Sequence, residues 1–166
     1  MPVSRFTQAT IAFSILVASA SQSNAGPNNV IYGNYWDDIG VEATFTCRGG
    51  DTACIINFTQ VAANKLLLLK HVACMARTTG APIMDADIYI SAAGGGAPLT
   101  RNHPLAIPQP VVFNGNGYSS NINQDVNILV GQYRIPGIRL FVGVNAGAGS
   151  WSVKCQMSGT LVDPIP

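Results

Sequence analysis

The sequence predicts an all-β protein: a single-domain, antiparallel two-sheet sandwich of jelly-roll-like form, stapled by two disulfides. Three observations predict it. Short runs of alternating apolar and polar residues recur along the chain, separated by Gly, Pro and Asn turns, a pattern typical of sandwiches and barrels. Only 10% of the residues are charged and Glu42 is the only glutamate, whereas helices usually carry Glu and Lys on their wet faces. All four cysteines lie beyond residue 25 of a chain that opens like an exported one, and an even cysteine count in that setting points to disulfides.

That opening has three parts. Met1 to Thr10 carries one cation, Arg5, and no acid; Ile11 to Ala20 (IAFSILVASA) is apolar; SQSNA follows, with Ser23 and Ala25 at the small-residue positions of a cleavage site. This is the layout of a secretory signal peptide. The apolar block is far short of the roughly 20 residues that span a bilayer. Residues 1–25 are therefore expected to be a cleaved signal, with cleavage after Ala20 as the alternative. Residues 26–166 would form one secreted or periplasmic domain with no transmembrane segment. Loss of Arg5 takes the formal charge from +1 to neutral. No basic stripe interleaved with aromatics remains, which argues against a nucleic-acid partner.

The elements follow in order. Asn28 to Asp38 (NNVIYGNYWDD) is an aromatic lead-in broken by Gly33. Ile39 to Cys47 (IGVEATFTC) alternates with period two, as a half-buried strand does, and CRGGDTAC turns into Ile55 to Gln60 (IINFTQ). The two runs predict a hairpin closed by Cys47 and Cys54. Gln60 to Thr78 (QVAANKLLLLKHVACMART) is ambiguous. A helical stripe (Ala62, Leu66, Leu69, Ala73, Ala76) competes with a strand face (Leu66, Leu68, Val72, Cys74, Ala76). The β context favours a buried strand from about Lys65 to Arg77; the alternative is an α+β fold with a helix near 60–78.

Asp87 to Ser91 (DIYIS) is a short strand, and AAGGGAP a loop. His103 to Phe113 (HPLAIPQPVVF) holds three prolines, which cannot donate to a ladder, so it is an edge strand or an extended connection. NGNGYSSN at 114–121 is a turn segment. Asp125 to Val130 (DVNILV), Ile138 to Val144 (IRLFVGV) and Trp151 to Val162 (WSVKCQMSGTLV) are strands, and DPIP ends the chain.

The cysteines fit neither zinc nor redox spacing. Zinc wants paired short Cys spacings or Cys with His, and no Cys-x-x-Cys occurs. RGGD is not the Arg-Gly-Asp tripeptide. A staple remains: Cys47–Cys54 across the hairpin and Cys74–Cys155 tying a central strand to the last one. No metal and no cofactor are expected. Asp85 with Asp87, and Asp37 with Asp38, lack the dense acidic spacing of a calcium loop. Asn57-Phe58-Thr59 is a glycosylation sequon.

Paired-carboxylate catalysis needs two acids in a cleft, and the chain is short of acids; with no G-x-S-x-G elbow and no phosphate cradle either, an enzyme is not expected. Tyr35 and Trp36 beside Asp37 and Asp38 form the candidate ligand site. Rings pack on the apolar faces of sugars while carboxylates and amides take the hydroxyls. In composition the chain is similar to exported bacterial β-sandwich proteins such as fimbrial subunits, but no family motif is present and no residue roles carry over. Three functions compete: binding of a carbohydrate or other cell-surface ligand without catalysis, self-assembly as a structural subunit of an envelope, coat or appendage, and, ranked last, hydrolysis.

Overall fold

A computed structural model describes residues 29–42, 51–92, 98–143 and 149–164. The expected signal peptide, Cys47 and most of the CRGGDTAC turn lie outside the described residues.

Eleven strands are described: β1 (Asn29–Tyr32), β2 (Tyr35–Ile39), β3 (Val41–Glu42), β4 (Ala53–Asn57), β5 (Leu66–Thr79), β6 (Ile83–Ser91), β7 (Pro98–Pro104), β8 (Val111–Phe113), β9 (Gly117–Val130), β10 (Ile135–Val142) and β11 (Trp151–Val162). They form a six-stranded sheet in the order β1-β2-β11-β5-β9-β8 and a five-stranded sheet in the order β3-β4-β10-β6-β7. All described pairings are antiparallel. The core lies between the sheets. Leu67, Leu69, Val72 and Met157 from one sheet and Ile56, Ile88, Ile138 and Leu140 from the other are almost wholly buried.

The all-β, antiparallel, two-sheet expectation therefore matches the structure, but the jelly-roll-like sandwich with two disulfides is corrected in two respects. First, the sheets are joined on one side. Gly40 alone separates β2 in one sheet from β3 in the other, so the chain bends from sheet to sheet within a residue and the fold is a partial barrel. A Cβ on Gly40 would meet the Phe58 ring at 2.8 Å, and the Gly40 N–H is tied to the Cys155 carbonyl at 3.0 Å. Only glycine lets the bend close this tightly. Second, one disulfide is described instead of two, Cys74–Cys155. Cys54 is buried and is not a free thiol; its expected partner, Cys47, lies outside the described residues.

Residues 66–79 form a strand, not a helix. β5 sits between β11 and β9 and pairs with both over nearly its whole length, and tertiary pairing outweighs the helix propensity of a Leu-rich run. Its facing is not the simple alternation expected from the sequence. Leu67 and Leu69 point inward, then Val72, Cys74 and Ala76. The register shifts between Leu69 and His71 on both sides; against β9 the extra residue is on β9, whereas against β11 the extra residue is Lys70, which forms a bulge. It stays exposed and reaches Asn127 Oδ1 at 2.9 Å.

Two further boundaries differ. The aromatic lead-in is a hairpin, with Tyr32 opposite Tyr35. Its two-residue loop starts with Gly33 at φ +60°, the position at which a type II′ turn calls for glycine. The turn expected over 114–121 is confined to Asn114–Asn116, and Gly117 to Asn121 opens β9. His103 and Pro104 lie on β7 and residues 111–113 on β8, both edge strands, as expected for the proline-rich segment 103–113.

Candidate functional site

β2 separates the four sequence-predicted ligand residues onto two faces. Trp36 is 2% exposed and Asp38 3%, both turned into the core, while Tyr35 is half exposed and Asp37 faces outward. With a period of two, adjacent residues cannot share a face, so the four make no common platform. Trp36 is a core residue, unavailable for stacking on a sugar.

The Asp38 carboxylate accepts the Thr59 N–H at 2.5 Å. Burial pushes its pKa above the usual carboxylate value, against the opposing pull of the Thr59 hydrogen bonds. A carboxyl whose folded-state pKa is raised contributes its stability below the unfolded value of about 3.9 and loses it as pH rises through the folded pKa. Asp38→Asn keeps an oxygen for the Thr59 N–H and removes the charge. The variant is expected to melt higher than the wild type near neutral pH, with the advantage shrinking as the solution is acidified. Melting curves of both proteins across that range check it. A wild type that melts higher at neutral pH would show that the Thr59 bonds outweigh burial.

Asp37 contributes to a different feature. Its two carboxylate oxygens accept from the Gln156 side-chain amide at 2.8 and 2.9 Å. Gln156 lies on the outer face of the six-stranded sheet, where a groove of about 420 Å³ is lined by Ile39, Ala73, Met75, Asn121, Asn123, Lys154 and Gln156. The strand registers explain its shape. One cross-sheet row reads Ile39, Gln156, Ala73, Asn123 and the next reads Lys154, Met75, Asn121. Ala73 is the smallest side chain of its row, so the floor drops between the longer Gln156 and Asn123. The groove thus has an apolar floor with a rim of amides and one ammonium group, a combination suited to ring faces and hydroxyls. Of the expected site, it takes in only Asp37, through Gln156. The sequence reading missed the rest because residues 117–121 were expected to be a turn. The outward polar positions of β9 (Asn121, Asn123) and β11 (Lys154, Gln156) were the available signal.

The six-stranded sheet also ends in two apolar edges. On β1, Val30, Ile31 and Tyr32 are exposed, the last at 83%; on β8, Val111 and Val112 are exposed, the first at 67%, and Phe113 lies beside them. Neither strand contains a charged residue. Among the described residues, β1 pairs only with β2 and β8 only with β9.

The outer face of the five-stranded sheet carries a cluster that is already satisfied. The Tyr89 ring crosses Gly137, where a Cβ would strike it, and its hydroxyl donates to Asn57 Oδ1. This is an aromatic ring covering a strand glycine. Burial pushes the Tyr89 pKa up to about 12. Arg139 donates to Asp87 at 3.2 and 2.6 Å and lies 5.1 Å from the centre of the Phe141 ring. Asp87 is thus held by a guanidinium, and the sequon residue Asn57 is tied to a strand partner. Among the described residues no group of three or more His, Cys, Asp or Glu is placed to hold a metal ion. His71 pairs with Asp125 at 2.8 Å, and His103 lies half-buried on β7. No described helix is long and apolar enough to cross a membrane. Compared with protein-family models, with curated proteins and with solved structures, the chain matches none.

Proposed function

We propose that the protein is a non-catalytic structural subunit of the secreted or periplasmic space that self-assembles by joining the edges of its six-stranded sheet. The contrast between its two sheets supports this reading. Exposed edge strands template pairing, and proteins blunt them with proline, charge or extreme shortness. The five-stranded sheet follows that rule: β7 carries Pro98, Arg101 and Pro104, and β3 has two residues, one of them Glu42. The six-stranded sheet has neither charge nor proline within β1 (NVIY) or β8 (VVF). Pairing β1 of one copy with β8 of the next would continue the sheet head to tail, the heterologous contact that builds open chains. The strands are short, so each junction is weak and assembly depends on high local concentration.

Sedimentation of Ile31→Lys, Val112→Lys and their equimolar mixture tests this. Each variant keeps one open edge and is expected to stay monomeric alone, while the mixture should form dimers through the two intact edges and grow no further. Dimers of Val112→Lys by itself would replace the head-to-tail contact with a symmetric β1–β1 contact. A wild type that remains monomeric at the highest soluble concentration would overturn the reading.

A second reading, recognition of a carbohydrate or other surface ligand, is supported by the groove, whose amide rim and apolar floor provide what the separated β2 residues do not.

A further inference from the structure

The groove is electrically lopsided. At one end its acids are occupied: Asp37 accepts the Gln156 amide, and Asp125 pairs with His71 at 2.8 Å. At the other end Lys154 lines the groove and Arg77 lies just beyond the lining. Lys154 stands opposite Met75 in the β5–β11 register, and Arg77 follows two residues along β5, opposite Ser152 and Ser119. Both are exposed on the same outer face, and among the described residues neither forms an ion pair. Diagonal neighbours on adjacent strands lie about 7–8 Å apart, so two like charges share this end with Met75 between them. Such a pair repels unless an anion sits between its members.

We infer that the groove takes an acidic glycan, with a uronic-acid carboxylate at the Lys154–Arg77 end. The inference rests on the ligand-binding reading above. The apolar floor of Ala73, Met75 and Ile39 receives the ring face of a sugar unit. The side-chain amides of Asn121, Asn123 and Gln156 offer both donors and acceptors to its hydroxyls. Lys154 and Arg77 supply the charge-assisted bonds to the carboxylate, which are stronger than neutral ones. A chain of sugars lying along the strands would place an acidic unit at the basic end and neutral hydroxyls over the amide rows.

Calorimetric titration of the oxidised protein with tri-galacturonate, with the uncharged galactose trimer, and with a glutamate peptide of the same charge tests the inference. Tri-galacturonate is expected to bind at least about tenfold tighter than the neutral trimer and to lose most of that margin in half-molar salt. Lys154→Gln and Arg77→Gln should each remove a large part of the margin, and Asn121→Ala should weaken both sugars alike. Equal affinity for the acidic and neutral trimers would overturn the acidic-ligand inference while leaving the groove a sugar site. Equal binding of the glutamate peptide would overturn the glycan assignment. Absence of binding by all three would overturn the inference together with the reading it rests on.

Discussion

Trp36→Ala is expected to lower the unfolding free energy by about 3–5 kcal/mol, the range for truncating a large buried aromatic. At about 2–4 °C per kcal/mol for a domain of this size, that is a drop of roughly 6–20 °C in melting temperature. The indole is 2% exposed and belongs to the main core cluster. It sits on β2, which is held on the core side of the sheet by β11 alone, its other neighbour being the short edge strand β1. The residue opposite it in the ladder cannot refill the space. In the β2–β11 register the residue opposite Trp36 is Gly159, and a Cβ there would meet Leu69 Cα at 3.0 Å and Leu67 Cδ1 at 3.1 Å. The backbone of β5 already crowds that spot, so no larger residue at 159 can compensate. Tyr35→Ala is the control. Tyr35 is adjacent in sequence but half exposed, and exposed substitutions usually stay within about 0.5 kcal/mol. Thermal melts of the two variants separate core from surface. A Trp36→Ala protein that melts like the wild type would return the indole to the surface and reopen the β2 aromatics as a ligand platform.

The same strand shows what the sequence allowed and where it stopped. The alternation eventually seen in β2, with Tyr35 and Asp37 on one face and Trp36 and Asp38 on the other, is present in the residue order YWDDI. Gly33 interrupts the aromatic run, so residues 28–38 read as a lead-in, and a lead-in has no faces. β11 was legible because its alternation runs unbroken from Trp151 to Val162 and both its neighbours pair along it. β5 was legible as a strand but not in its facing. The bulge at Lys70 moves the inward positions from Leu67 and Leu69 to Val72 and Cys74, a phase slip that no period-two count contains. Residues 117–121 read as a turn because Gly, Ser and Asn dominate them; pairing with β5 overrides that preference, since strand propensity depends heavily on context. The groove was the least legible feature. Its residues come from four strands brought together by register, and the small Ala73 that makes its floor is unremarkable in the sequence.

Removing the Cys74–Cys155 bridge is expected to cost about 4 kcal/mol, from the loop-closure relation applied to cysteines 81 residues apart. That corresponds to roughly 8–16 °C in melting temperature for a domain of this size. The two cysteines lie directly opposite each other in the β5–β11 ladder and are 4% and 2% exposed. In the folded protein the ladder already holds these strands together, so the bridge adds little there. Its weight falls on the unfolded chain, where it keeps two distant segments close. The same loop-closure entropy governs kinetics as well as stability. Pairing the fifth strand with the last is a contact of long sequence separation, which slows folding. A Cys74→Ala/Cys155→Ala variant should therefore refold much more slowly than the oxidised wild type and unfold at nearly the same rate. A bridge across the CRGGDTAC turn would close a far shorter loop, worth under about 3 kcal/mol by the same relation, so Cys155→Ser should lower the melting temperature more than Cys54→Ser. Equal melting temperatures for those two would defeat the loop-length argument. An effect of the double variant confined to the unfolding rate would instead place the bridge's contribution in the folded core, where both sulfurs are packed.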